Sequence, residues 1–332
     1  MKPAKAPVPV KAKPAKDPRN TLKKTPLQRF WLTFRRDWQL HLLILLPIAY
    51  ILLFNYGPMY GAQIAFRNYK PKDGIVGSEW VGLKWFEKFL GYHDFKALMV
   101  NTLAISLYQI AVGFPLPVIF ALLINTMKSE KFKGFVQNVT YMPHFISVVV
   151  LISILNMVFS PVNGLYGNLF RLFGGQGYPT DVRGGANSFR HMYVWSGVWQ
   201  QLGWNTIVYT AALSGVSHEL HEAAMLDGAS RWKRVIHVDF PTILPTVCIM
   251  LIMRFGSIMG VGYEKVYLMQ TSLNGTVSEV ISTYVYKTGM GKTSDMSYAS
   301  AVGIFNSVIN CTLLLLVNWI TDRLSDGDVG LF

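Results

Sequence analysis

The chain has 332 residues, 51% of them hydrophobic and only 15% charged, with a formal net charge of +13. Soluble domains carry roughly a quarter charged residues, so this composition excludes an ordinary water-soluble fold and points to a membrane protein. The two cysteines, Cys248 and Cys311, both lie in apolar stretches; they read as packing residues rather than a disulfide framework, and no Cys/His group has structural zinc spacing.

Residues 1–36 hold eleven Lys or Arg against one acid, Asp17. This Pro-, Ala- and Lys-rich tail cannot bury a core and is predicted to be a disordered cytoplasmic segment, with a charge that suits anionic membrane lipid. It lacks the aromatic–basic interleaving of a nucleic-acid binder, so no nucleic-acid partner is expected.

A spanning helix needs about 20 mostly apolar residues. Six stretches qualify: Leu40–Tyr56, Leu98–Met127, Val136–Phe159, Tyr193–Val216, Ile243–Gly262 and Ala299–Ile320. The prediction is therefore an all-α membrane protein of six transmembrane helices. Pro115 and Pro117 should kink the second span, and Pro47 the first more mildly. The first stretch has a long basic flank and no clear small-residue cleavage site after it, so an uncleaved span is expected rather than a signal peptide.

Charge orients the spans. With both termini in the cytoplasm, the inner segments carry eighteen Lys/Arg and the longer outer loops twelve, and the bias is strongest at the first helix. Loops 58–96, 160–190 and 263–298 then lie outside, and 128–135 and 217–242 inside. Loop 58–96 holds Trp80, Trp85, Phe86 and Phe89, as a packed interfacial cap would. Gly174-Gly175-Gln176-Gly177 and Gly184-Gly185 read as turns.

The inner loop carries the most information. Ser217 should open a short helix whose Glu219 and Glu222 suit its positive end. Asp227-Gly228 should break it, since Gly accepts positive φ at little cost. Ser230 should cap a second helix ending at Pro241. Leu226, Trp232, Val235 and Ile236 would be its apolar contacts. From physics alone, such an amphipathic pair is either an interfacial helix on lipid or a docking element for a cytoplasmic partner.

Two other patterns fail. His218-Glu219-Leu220-His221-Glu222 misses the metalloprotease spacing, which needs two His at i and i+4, so no metal is expected. Gly291-Lys292-Thr293 lacks the first glycine of a phosphate-binding loop, so the chain should not hydrolyse ATP itself. Inside the spans, Arg254 is a charge that the bilayer tolerates only when it is paired or hydrated. Gln200, Gln201 and Asn205, with Trp195, Trp199 and Trp204, could face a sugar. Amides also glue helices together in lipid. Arg254, Gln200, Gln201, Asn205 and Trp199 are the candidate substrate pathway.

The string Glu222-Ala223-Ala224, then Asp227-Gly228-Ala229, then Val238, Pro241 and Pro245 resembles the "EAA" loop of permease subunits in binding-protein-dependent ABC importers. That family's usual Ile and Leu near the end are Val238 and Phe240 here, both still apolar. Phe54–Gly61, Trp80–Lys84, Tyr141–Ser147 and Ala301–Val308 resemble a subgroup that imports oligosaccharides or polysaccharide fragments, alginate and plant-wall uronates among them. The resemblance covers roughly residues 38–332 and leaves out the basic tail.

It implies a type I ABC importer permease fold over residues 37–332, multi-pass in a bacterial cytoplasmic (inner) membrane. Its coupling loop, 217–242, would dock on the ATPase through Glu222, Ala223, Ala224, Asp227, Gly228, Ala229 and Trp232. The implied partners are a second permease subunit making a heterodimeric pore, two ATP-binding-cassette ATPase subunits and an extracytoplasmic solute-binding protein. No cofactor belongs to this chain; ATP and magnesium belong to the ATPase. Two other classes compete: a membrane glycosyltransferase would need a paired-acid or metal site, and a secondary transporter would need acids within the spans as ion sites. The six stretches contain none.

Overall fold

The structure, a computed structural model, describes Trp31, residues 34–291 and residues 294–324. The basic tail, 1–36, falls almost wholly outside the described residues, as do Lys292 and Thr293. The chain divides into two units, residues 1–61 and 62–332.

In the first unit, helix α1 (Trp38–Ile51) runs unbroken through Pro47. It continues through a π-helical turn, Leu52–Tyr56, into Gly57–Met59. The π turn ends two residues before Pro58. A proline ring collides with the carbonyl four residues back, and a widened turn moves that carbonyl aside. The apolar stretch thus becomes one helix, Trp38–Phe66, long enough to span.

The second unit opens with a two-stranded hairpin, β1 (Arg67–Lys70) and β2 (Ser78–Trp80), in which Arg67 pairs with Trp80 and Asn68 with Glu79. Helix α2 (Lys84–Leu90) follows. Together they form the aromatic cap expected in loop 58–96. The Trp85 indole donates to Arg67 O at 2.9 Å, Phe66 stacks on Trp80, and Phe89 is buried against Leu98, Ile281, Tyr298 and Val302.

Helices α3 (Phe95–Gly113) and α4 (Pro115–Asn125) form one span with its break at Phe114, where the two prolines place it. The third apolar stretch is not one straight span. Helix α5 (Glu130–Tyr141) and the 3-10 turn Met142–Phe145 meet α6 (Val148–Val158) at 100°. Pro143 interrupts the ladder, and the Ser147 side chain caps a new helix by accepting from Val150 N. Helix α7 (Leu165–Leu172) leads to the loop containing Gly174 and Gly177, both at positive φ as their turns require.

Helix α8 (Ala186–Leu213) is 28 residues long. It is the least apolar of the six predicted spans, and it is not among the four helices that are both long and apolar enough to cross a membrane; the bent pair would make a fifth. Its polar residues survive because it packs centrally. Phe189, Tyr193 and Val194 are buried with Ile105, Ile152, Val261 and Val266, and Tyr209 and Leu213 with Val118, Ala121 and Ile243. At Gly203 it approaches α5 so closely that a Cβ would sit 2.3 Å from Thr140 O. Small residues serve this purpose between helices in lipid.

Helix α9 (His218–Leu226) and the four-residue α10 (Arg231–Arg234) form the inner loop. Contrary to expectation, the second helix does not end at Pro241. A second π turn, Val235–Asp239, again stops two residues short of the proline and leads directly into α11 (Phe240–Phe255). The result is one helix, Arg231–Phe255. Short helices α12 (Tyr263–Met269), α13 (Gly275–Ser278) and α14 (Ile281–Met290) then precede the last span, α15 (Met296–Leu324).

Candidate coupling loop and translocation cleft

The inner loop has the local chemistry its sequence dictates. The Ser217 hydroxyl accepts from Glu219 N at 3.2 Å, and the Ser230 hydroxyl from Lys233 N at 3.4 Å. Gly228 has φ +74, with open space where a Cβ would stand. Gly228 N donates to Met225 O, and Ala229 N to Ala224 O. This pair of bonds is a Schellman termination, which satisfies the last carbonyls of α9.

The loop is an ordered corner that presents apolar side chains outward. Leu226 is 89% exposed and Trp232 62%, with Leu220, Met225 and Ile236 also exposed. Glu222 is exposed and pairs with His218 at 3.1 Å. No metal-holding group of His, Cys, Asp or Glu occurs among the described residues. The other histidine of the failed metal motif, His221, is far less exposed than His218, and its Nε2 lies 3.0 Å from Asp239 Oδ1.

Asp239 belongs to loop 217–242, outside the six apolar stretches, none of which contains an acid. It lies within the continuous helix Arg231–Phe255 and is 2% exposed. The Asn125 amide also donates to its Oδ1, at 3.4 Å.

The polar residues of α8 split between two roles. Gln200 is buried and donates to Ile146 O at 2.7 Å, which fastens α8 to the bend after α5. Gln201 meets His144 at 2.9 Å, and His144 lies flat on Trp204 with centroids 4.1 Å apart. Trp199 lines a separate, apolar cavity with Trp195, Leu151 and Met192. Gly197, Gln201 and Asn205, spaced by four, share one face of α8. That face lines a narrow cleft with Gln109 and Arg254. Of the five pathway candidates, then, Gln201, Asn205 and Arg254 come together, while Gln200 and Trp199 face elsewhere. The cleft holds about 30 Å³, room for a single water, so these residues wall a cleft too narrow to enclose a sugar.

Lys265 of α12 extends this wall. Its ammonium donates to Tyr193 O at 2.8 Å and lies 4.7 Å from the Tyr193 ring centroid. A Cβ on Gly197 would be 3.2 Å from the Lys265 Nζ and 3.7 Å from the Gln109 amide nitrogen. Burial pushes the ammonium down to about 8, because desolvation disfavours the charged form. Neither Lys265 nor Arg254 is in an ion pair among the described residues. Sequence reasoning missed Lys265 and Gln109. A lysine in the otherwise mostly apolar Tyr263–Met269 was the available signal, but its partner Gly197 is remote in sequence.

In the loop 160–190, the Arg183 guanidinium holds the Asp181 carboxyl below its usual range. The pair borders a cavity of about 240 Å³ with Asn156, Thr271 and Ser272.

A bundle of apolar helices, with an ordered corner at one end and a polar cleft between helices, defines an integral membrane translocation subunit. The chain belongs to the family of binding-protein-dependent transport system inner membrane components, whose pattern matches residues 113–326. It is therefore a multi-pass permease subunit of an ABC transporter. The glycosyltransferase and secondary-transporter readings are set aside. Among its relatives is the polygalacturonan/rhamnogalacturonan transport system permease protein YteP of Bacillus subtilis, 36% identical over 93% of this chain and 95% of that protein. Protein LplB of the same organism is 38% identical over 91% of this chain and 94% of its own length. Among solved structures, the chain resembles a bacterial ABC transporter involved in the import of the acidic polysaccharide alginate, with a TM-score of 0.80. The two are 33% identical over 89% of this chain and 99% of that one. A second structure shows a bacterial alginate ABC transporter with a periplasmic protein carrying an alginate pentasaccharide, at a TM-score of 0.81 and 32% identity over 91% of this chain and 100% of that one.

Proposed function

We propose that this chain is one permease half of an importer for oligosaccharides or polysaccharide fragments that bear carboxylates, driven by a separate ATPase that docks on α9 and α10. The observation that carries the reading is the corner at Gly228. It presents Leu226 and Trp232 outward on a helix that continues without a break into a span. A helix of 25 residues is about 38 Å long at 1.5 Å per residue. A push at Arg231 therefore reaches the level of Arg254 through a rigid rod.

Both termini lie in the cytoplasm, residues 217–242 face the ATPase, and ATP and magnesium bind there. A homologous second permease supplies the other wall of the cleft. A solute-binding protein delivers the sugar to the outer loops. ATPase closure favours the outward-facing state, and it can do so only by binding that state more tightly than the inward-facing one. The carboxylate preference rests on Lys265 and Arg254, two cations beside the amide-lined face of α8 without a carboxylate partner among the described residues. The acidic saccharides named for the relatives agree with it.

The test is co-purification of the ATPase with the chain, together with uptake of a galacturonate trimer. The double variant Leu226→Ala, Trp232→Ala and the single variant Glu222→Lys should insert normally, lose the ATPase on purification and import at least tenfold less. An unchanged yield of ATPase would remove the loop from the contact.

A further inference from the structure

The corner is joined to the spans at a second place besides its backbone. Asp239 Oδ1 receives His221 Nε2 of α9 at 3.0 Å and the Asn125 amide at 3.4 Å. Asn125 is the last residue of α4. Asp239 closes the π turn at the root of α11. One nearly inaccessible carboxylate, with 3% of its side chain exposed, therefore ties three helices together. His221 is the inward-facing member of α9, with 22% of its side chain exposed, against 84% for His218.

The local backbone makes this possible. The π turn that relieves Pro241 keeps both Val235 and Asp239 buried, while Ile236 and His237 between them remain exposed. At Gly228 the connection between α9 and α10 is a bare turn with nothing around its missing Cβ. A turn of that kind transmits a push poorly unless the two helices are also braced side to side.

We infer that His221, Asp239 and Asn125 form a clamp that makes α9 move as one body with α11 and the end of α4, so that displacement of the coupling corner reaches two spans at once. The inference rests on the coupling role proposed for α9 and α10. These are positioning residues: they lie behind the exposed face and do not touch the ATPase. A buried carboxylate shared by two donors suits this task, because neither donor can leave without stranding a buried acceptor, and a break at either side should release both.

The measurement is the number of ATP molecules hydrolysed per saccharide imported by the reconstituted transporter, with a galacturonate trimer as cargo. Asp239→Ala should raise that ratio about tenfold while the ATPase still co-purifies with the chain. His221→Ala should raise it similarly. The double variant should be no worse than the worse single, as members of one network behave. Asp239→Asn keeps an oxygen acceptor of the same shape and should stay within about twofold of the parent, which separates lost coupling from lost folding. An unchanged ratio in Asp239→Ala, or additive effects in the double variant, overturns the clamp. If the exposed-face variants Leu226→Ala, Trp232→Ala also leave ATPase binding intact, the coupling role itself fails; if they abolish it while Asp239→Ala changes nothing, only the clamp fails.

Discussion

Lys265 is costly to the fold, and only the proposed uronate preference gives it a use in transport. Its ordinary value of 10.5 is lowered to about 8 by burial alone. The unfolded chain therefore binds the proton more tightly than the folded one, and folding stability rises as pH climbs from 8 towards 10.5. Below pH 8 the buried charge costs roughly 3 kcal/mol. Lys265→Met should raise the melting temperature of the detergent-solubilised protein at pH 7, and this gain should shrink steadily towards pH 10.5. A gain that is independent of pH would mean the ammonium carries no such cost. The same variant should also lose preference for a uronate trimer over its neutral methyl ester. Gln200 makes the opposite point. From sequence it was as good a pathway residue as Gln201, yet its amide is spent on Ile146 O. Residue type could nominate both, but only the rotation of α8 separates them.

At the scale of elements, the inner loop was legible almost residue by residue. Ser217, Gly228 and Ser230 act through bonds to atoms within three residues of themselves, so nothing remote could override them. Gly228→Pro tests this directly. Proline is confined near φ −65° and cannot occupy +74, so the variant should remain in the membrane but import at least tenfold less saccharide per ATP. Gly228→Asn, which tolerates left-handed backbone, should retain most of the transport. Wild-type uptake by the proline variant would refute the lever. Pro241 was misread because the helix-breaking rule assumes a regular ladder. Opening one turn to π geometry satisfies the proline and preserves the helix, and Pro58 follows the same solution. The bend of α5 into α6 was missed for a related reason: hydropathy counts apolar residues and is blind to direction, so the 100° turn at Pro143–Ser147 left no mark on it.

For the whole molecule, the orientation proposed from charge can be checked by labelling. After Cys248 and Cys311 are replaced, a cysteine at Leu226 should react with an impermeant maleimide only from the cytoplasmic side, and one at Leu273 only from outside. Both positions are well exposed, at 89% and 74%. Reversed labelling would invert the assignment of every loop.

By itself the sequence determined that this is an all-helical membrane protein, and it placed the caps at Ser217 and Ser230 and the break at Gly228. Those depend on composition, on runs of apolar residues and on caps, all of which act within a few residues. The tertiary structure alone decided which polar residues share a face with Arg254, that Lys265 reaches Gly197, and that His221, Asp239 and Asn125 meet. Each of these contacts joins residues at least 18 positions apart. Such contacts depend on how helices rotate and cross, and helix rotation is set by packing that no local window of sequence contains.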